Sequence, residues 1–200
     1  MKINWKKEMP YVILIIIIVG FVVFVIFRTE PYEKKPEGEG PYFGEEDAEV
    51  IITMFSSFTD SNCKAFAESG KMQEIIDDYP GQVKFVFRSF SKDEVGQLAA
   101  EAALCAGDQG KFWEMYNSLF ANQKSLTEDV LKYYSIPGLN RNRYRNCMEV
   151  RKYRTDVEAD RNQGMKFKID ILPTFFIDGS RIEGNVGISE FKSLIDAELA

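Results

Sequence analysis

No histidine occurs anywhere in the 200 residues. Its absence removes the Ser-His-Asp and Cys-His hydrolytic arrangements and every zinc site built with imidazole. A nucleophile in this chain has to be activated by a helix terminus, a lysine or a carboxylate. Cysteine is scarce as well. The three that occur, Cys63, Cys105 and Cys147, are too scattered to supply a metal-ligand set, and neither a metal nor another cofactor is expected. Basic excess is also missing. A formal charge of -6 argues against a nucleic-acid partner, which would normally meet a basic face. No internal repeat is visible.

The chain is rich in apolar and aromatic residues: 45% hydrophobic, with sixteen phenylalanines. That composition is globular, and the length fits one domain plus an appendage. From Val12 to Phe27 every residue is Val, Ile, Leu or Phe except Gly20. On the insertion scale this run favours the bilayer by roughly 5–9 kcal/mol. With the residues just before it, it approaches the ~20 needed to span. A core helix would show a polar stripe, and this run has none. The small-x-small site of a cleaved signal is missing too, since the run continues into Phe27-Arg28-Thr29-Glu30. The expectation is a short tail (residues 1–10), an uncleaved transmembrane anchor (11–28) and a flexible linker (29–43). Lys2, Lys6 and Lys7 before the run balance Arg28, Lys34 and Lys35 after it. Orientation therefore rests on the short tail, which favours N-inside and an extracytoplasmic domain. The linker, with three prolines, two glycines and six charges between Glu30 and Pro41, cannot build a core.

The domain is expected over 44–200. Glu49–Phe55 is β-branched and apolar nearly throughout, as in a central strand. Phe58-Thr59-Asp60-Ser61-Asn62-Cys63 follows as a capping turn, with Asp60 or Ser61 as N-cap of a helix predicted to run to Asp78, softened at Gly70. Pro80-Gly81 turns into a second strand, Val83–Arg88. Residues 92–166 carry helical periodicity, including a long helix over about 149–168. Pro173–Gly184 reads as a hairpin turning at Asp178-Gly179, and an amphipathic helix closes the chain. The fold class is α/β: βαβ, a helical insertion, then ββα.

Three strings, Met54–Lys64, Ala99–Trp113 and Leu172–Gly179, resemble the DsbA-like branch of the thioredoxin superfamily in order and spacing. The resemblance spans the whole domain and implies a thioredoxin-like fold of thiol-disulfide oxidoreductase ancestry. It also implies a site where a Cys-x-x-Cys motif opens the first helix beside a cis-proline. A thiolate there is favoured by the helix N-terminus, and the second cysteine resolves the mixed disulfide. Here Asp60 stands on the attacking position, Ser61 follows, and Cys63 takes the resolving position. Pro173 matches the cis-proline, and Leu172 stands where Thr or Val is common. Phe58, Leu172 and Pro173 are the expected substrate-contacting residues. Asp60 places negative charge one turn from Cys63, which raises that thiol's pKa. The ordinary dithiol cycle is not available.

Cys105 and Cys147 fall where some relatives carry a second pair. Bonded, they would stabilise the domain by about 4 kcal/mol in the chain-entropy model; otherwise they are two small buried apolar residues. An oxidising compartment favours the bond.

Three functions stand. The first is a one-cysteine enzyme acting on protein thiols or disulfides through Cys63, with Asp60 beside it and a membrane redox partner. The second is a redox-inactive module that binds extended peptide segments or a membrane partner. The third is a transferase or isomerase in which Ser57 or Ser61 orients a thiol cofactor. The arginine-rich run Arg141, Arg143, Arg145, Arg151, Lys152 and Arg154 reads as a solvated helix face or as a contact for anionic headgroups.

Overall fold

The computed structural model describes residues 40–200. The tail, the anchor at 11–28 and most of the linker lie outside the described residues. Among the described residues no helix is long and apolar enough to cross a membrane.

The elements follow as β1 (Tyr42–Gly44), β2 (Val50–Ser56), α1 (Ser61–Ala67), α2 (Lys71–Asp78), β3 (Val83–Ser89), α3 (Glu94–Gly107) and α4 (Phe112–Ala121). After a 3-10 turn at Gln123–Ser125 come α5 (Glu128–Lys132), α6 (Arg141–Glu149), α7 (Arg154–Lys166), β4 (Thr174–Ile177), β5 (Ser180–Glu183) and α8 (Ile188–Glu198). The sheet order is β1-β3-β2-β4-β5. β2 and β3 are parallel, which requires the crossover that α1 and α2 supply. β4 runs antiparallel to β2, and β5 antiparallel to β4.

Strand periodicity divides the core. Ile52, Met54, Phe85, Phe87, Phe175 and Ile177 face one side, in a cluster that continues into the helical insertion. Phe55 and Phe176 face the other, where they meet Phe90, Phe167 and Ile169. On that side the Arg88 guanidinium pairs with Asp160 of α7 at 3.0 Å. α3 is an alanine helix, with Ala99, Ala100, Ala102, Ala103 and Ala106 fully buried, so its neighbours can approach closely.

Three expectations need correction. The helix predicted from Asp60 to Asp78 is two helices. Gly70 adopts φ 74 between them, a left-handed conformation that a side chain disfavours. The long helix starts at Arg154 rather than near Glu149. Arg151 sits at φ 51, and its guanidinium reaches Glu101 on α3 through two 2.7 Å bonds, so the chain turns there to bring the pair together. The stretch expected to be linker contributes β1, which pairs antiparallel with β3, Phe43 opposite Phe85. Trp113 anchors that strand: its indole N–H donates to the Tyr42 carbonyl, and its ring meets Phe43 edge-on at 5.4 Å. The hairpin at Asp178-Gly179 turns as expected, with both residues at positive φ.

Candidate functional site at the start of the first helix

β2 ends by delivering Ser56 and Ser57 to the edge of the core, and the chain then turns through Phe58 and Thr59 into α1. Asp60 is the N-cap. Its extended backbone (φ -90, ψ 131) points the side chain back over the helix start, where Oδ1 accepts from the amides of Asn62 at 2.9 Å and Cys63 at 2.8 Å. From the insertion, the Gln123 side-chain amide donates to the carbonyls of Phe58 and Asp60, at 2.9 and 2.8 Å. Lys64 Nζ donates to the Phe120 carbonyl at 2.9 Å. The turn is therefore held from both sides.

Cys63 lies beneath this cap and is 1% exposed. The Ser57 N–H donates to its Sγ at 3.4 Å. Burial dominates its protonation and pushes the thiol from an ordinary 9.0 up to about 12. Hydrogen bonds from the Ser56 hydroxyl and the Ser57 amide pull the other way, and the negative charge of Asp60 adds to the rise. Such a thiol is a poor nucleophile at neutral pH, since the thiolate is the reactive form.

The Leu172–Pro173 peptide is cis. The Pro173 carbonyl accepts from the Gly184 amide at 2.7 Å, and the Thr174 hydroxyl donates to the Ile171 carbonyl. Asp60 and Leu172 line one cavity of about 270 Å³, together with Ser57, Thr59, Asp93 and Asp170. Asp60, Ser57 and Leu172 thus share one cavity, with Cys63 beneath the Asp60 cap, while Pro173 is buried and does not line it. Phe58 does not join them at the surface. It is 1% exposed and packs against Phe87, Tyr116 and Phe120, so its expected contact with substrate is corrected to a core role. An aromatic at the end of a buried strand continues into the core more cheaply than it faces water.

A hydroxyl chain went unforeseen. Asp93 Oδ2 accepts from Thr59 Oγ1 at 2.7 Å, Thr59 Oγ1 contacts Ser57 Oγ at 3.0 Å, and Ser57 Oγ pairs with buried Ser91 Oγ. Gly96 makes room for it, because a Cβ there would stand 1.9 Å from Ser91 Oγ. Asp93 also caps α3 through the Gly96 amide. The capping pattern Asp93–Gly96 was the available signal; the link to Thr59 exists only in three dimensions. Ser61 is exposed at the helix start, whereas Ser57 is buried in this chain of hydroxyls.

Cys105 on α3 and Cys147 on α6 form a disulfide, with Cα atoms 5.9 Å apart. Cys63 is the free cysteine. Among the described residues no group of His, Cys, Asp and Glu could hold a metal ion.

A family model described as Thioredoxin matches residues 37–197. The chain belongs to the thioredoxin family. It is 24% identical over 206 residues to a probable disulfide bond formation protein D of Bacillus anthracis, covering 94% of this chain and 92% of that protein. It is 30% identical over 161 residues to the Na(+)/H(+) antiporter NhaA 1 of Salinispora arenicola, covering 78% of this chain. That match spans only 24% of the antiporter, so the chain corresponds to about a quarter of its length. Among solved structures, oxidised BdbD from Bacillus subtilis superposes with a TM-score of 0.70 at 24% identity, covering 80% of this chain and 92% of BdbD. Pseudomonas aeruginosa DsbA2 gives 0.69 at 21%, covering 83% and 97%. The fold is DsbA-like, with the helical insertion in place.

Proposed function

We propose that this chain is a membrane-tethered, extracytoplasmic member of the DsbA-like thioredoxin family that binds extended polypeptide beside Pro173 without exchanging disulfides. One observation carries the reading. The amides that would stabilise an attacking thiolate are bonded to the Asp60 carboxylate, and the remaining thiol, Cys63, is buried beneath it. A one-cysteine exchange route needs a sulfur that a client can reach, and a carboxylate cannot form a mixed disulfide.

The cavity shared by Asp60 and Leu172 is the docking place in this reading. The tether rests on the Val12–Phe27 apolar run, and the extracytoplasmic side on the Cys105–Cys147 bond, since disulfides persist in oxidising compartments. The test pairs Cys63→Ser with Leu172→Arg in a crosslinking assay, using a panel of unfolded polypeptides. Cys63→Ser is expected to leave capture unchanged and Leu172→Arg to abolish it. Loss of capture in Cys63→Ser alone, or a client–Cys63 mixed disulfide in the native protein, would return the assignment to the monothiol enzyme.

A further inference from the structure

The arginine-rich run that the sequence singles out is sorted by the fold into two groups. Arg151 is engaged by Glu101, Lys152 by Asp108 at 2.6 Å, and Arg154 by Glu158 at 2.8 Å. Arg143 reaches the Asp108 carbonyl. Arg141 and Arg145 lie one turn apart on α6 and line a cavity of about 440 Å³ between α5 and α6, with Lys132 on its opposite wall. No carboxylate lines that cavity. Arg141 Nε donates to Ser135 Oγ, an interaction that orients the guanidinium and leaves its other N–H groups for a ligand. Arg145 has only a loose exposed pairing, 3.7 Å from Glu149. Lys132 has no carboxylate partner among the described residues.

The aromatic wall is equally uneven in its commitments. The Tyr134 hydroxyl is bonded to Ser118 and Asn122, and the Tyr144 hydroxyl to the Leu131 carbonyl, so both rings are fixed. Tyr133 is 67% exposed, a large aromatic face held at the cavity rim. In a protein of net charge -6, three cations beside an exposed ring with no acid lining are a local reversal of the overall field.

We propose that this cavity binds the phosphate group of an organic phosphate, gripped by Arg141, Arg145 and Lys132 with its organic body against Tyr133. Two guanidinium forks and an ammonium supply more donors than one carboxylate can use, and they suit a tetrahedral anion. The volume exceeds that of a bare phosphate ion, which calls for an attached body. The phosphate belongs either to a lipid headgroup or to a soluble ester.

Calorimetric titration of the full chain in a neutral maltoside detergent tests this with two probes: glycerophosphoglycerol, the phosphodiester headgroup of an anionic lipid, and glycerol phosphate, a soluble monoester. At least one is expected to show a single saturable site. Arg141→Gln and Arg145→Gln should each weaken it about tenfold, and Arg154→Gln, outside the cavity, should leave it unchanged. Tighter binding of the diester assigns the site to lipid, and tighter binding of the monoester to a soluble ester. Absence of saturable heat with both probes overturns the proposal, as does equal weakening by Arg154→Gln, which would mean diffuse electrostatics. Thermal unfolding of each variant, expected unchanged for these exposed side chains, separates lost binding from lost fold.

Discussion

Asp60 Oδ1 accepts the Cys63 amide hydrogen at 2.8 Å while the Cys63 thiol points into the core, so one helix start holds a surface carboxylate above a sheltered sulfur. The carboxylate satisfies two of the donors that every helix leaves unpaired at its N-terminus. It does the structural work of a helix cap directly above the thiol.

Removing the cap alone should be measurable. Asp60→Ala is expected to cost about 1 kcal/mol, and Asp60→Asn only part of that, because an amide oxygen still caps. Urea unfolding checks both. Asp60→Cys supplies a second thiol one turn from Cys63. It should yield a protein that loses both of these thiols on oxidation, read by intact mass, and that gains turnover against a disulfide-bonded model peptide. If both thiols remain free under oxidant, Asp60 does not occupy the attacking position.

The buried thiol has a pH signature. With burial pushing Cys63 up to about 12, alkylation of the native protein should be slow and still rising about tenfold per pH unit beyond pH 10, whereas the unfolded chain reacts far faster and levels off above about 9. The linkage sign follows from the same shift. As pH rises past the ordinary value near 9.0, the unfolded state releases the proton and the folded state keeps it, so stability falls with pH toward about 12. Below 9 this contribution is fully present. Cys63→Ala should remove that alkaline slope in denaturant titrations.

Reduction of Cys105–Cys147 is expected to lower stability by about 4 kcal/mol, the loop-closure entropy that the bond withholds from the unfolded chain. The paired change Cys105→Ala with Cys147→Ala should cost a similar amount. Guanidinium midpoints with and without reductant provide the comparison. A reductant effect that persists in the double variant would locate the loss elsewhere.

Close packing on the second face of the sheet gives a sharper test. A Cβ on Gly164 of α7 would stand 2.3 Å from the Phe90 ring, which is itself packed in the cluster with Phe55 and Phe176. Gly164→Ala should therefore destabilise by about 1–3 kcal/mol through overpacking, despite alanine's better helix propensity. Adding Phe90→Leu should recover part of that loss. Thermal unfolding of the pair measures the coupling.

Much of the fold was legible in the residues. β2, β3 and the β4–β5 hairpin are short apolar runs bounded by turn chemistry, and α3 announces itself by its run of alanines. These are local signals, set by propensity and by the period of apolar residues. β1 was hidden because Tyr42-Phe43-Gly44 carries no pattern of its own; it is a strand because β3 offers an edge and Trp113 pins it. The break at Gly70 was partly visible as a glycine, but its depth depended on a left-handed backbone that spacing alone does not specify.

At the site, residue order alone told which side chains share the start of α1: Asp60 as cap and Cys63 one turn on, because helical geometry is local. Tertiary structure alone decided what they face. It buried Cys63 under its own cap and drew Phe58 into the ring cluster of Phe87, Tyr116 and Phe120. It also joined Asp93 to Ser57 through Thr59 across more than thirty residues of chain. Burial and long-range hydrogen bonding depend on the packing of distant segments, and a thiol's chemistry is set by that packing as much as by its neighbours along the chain.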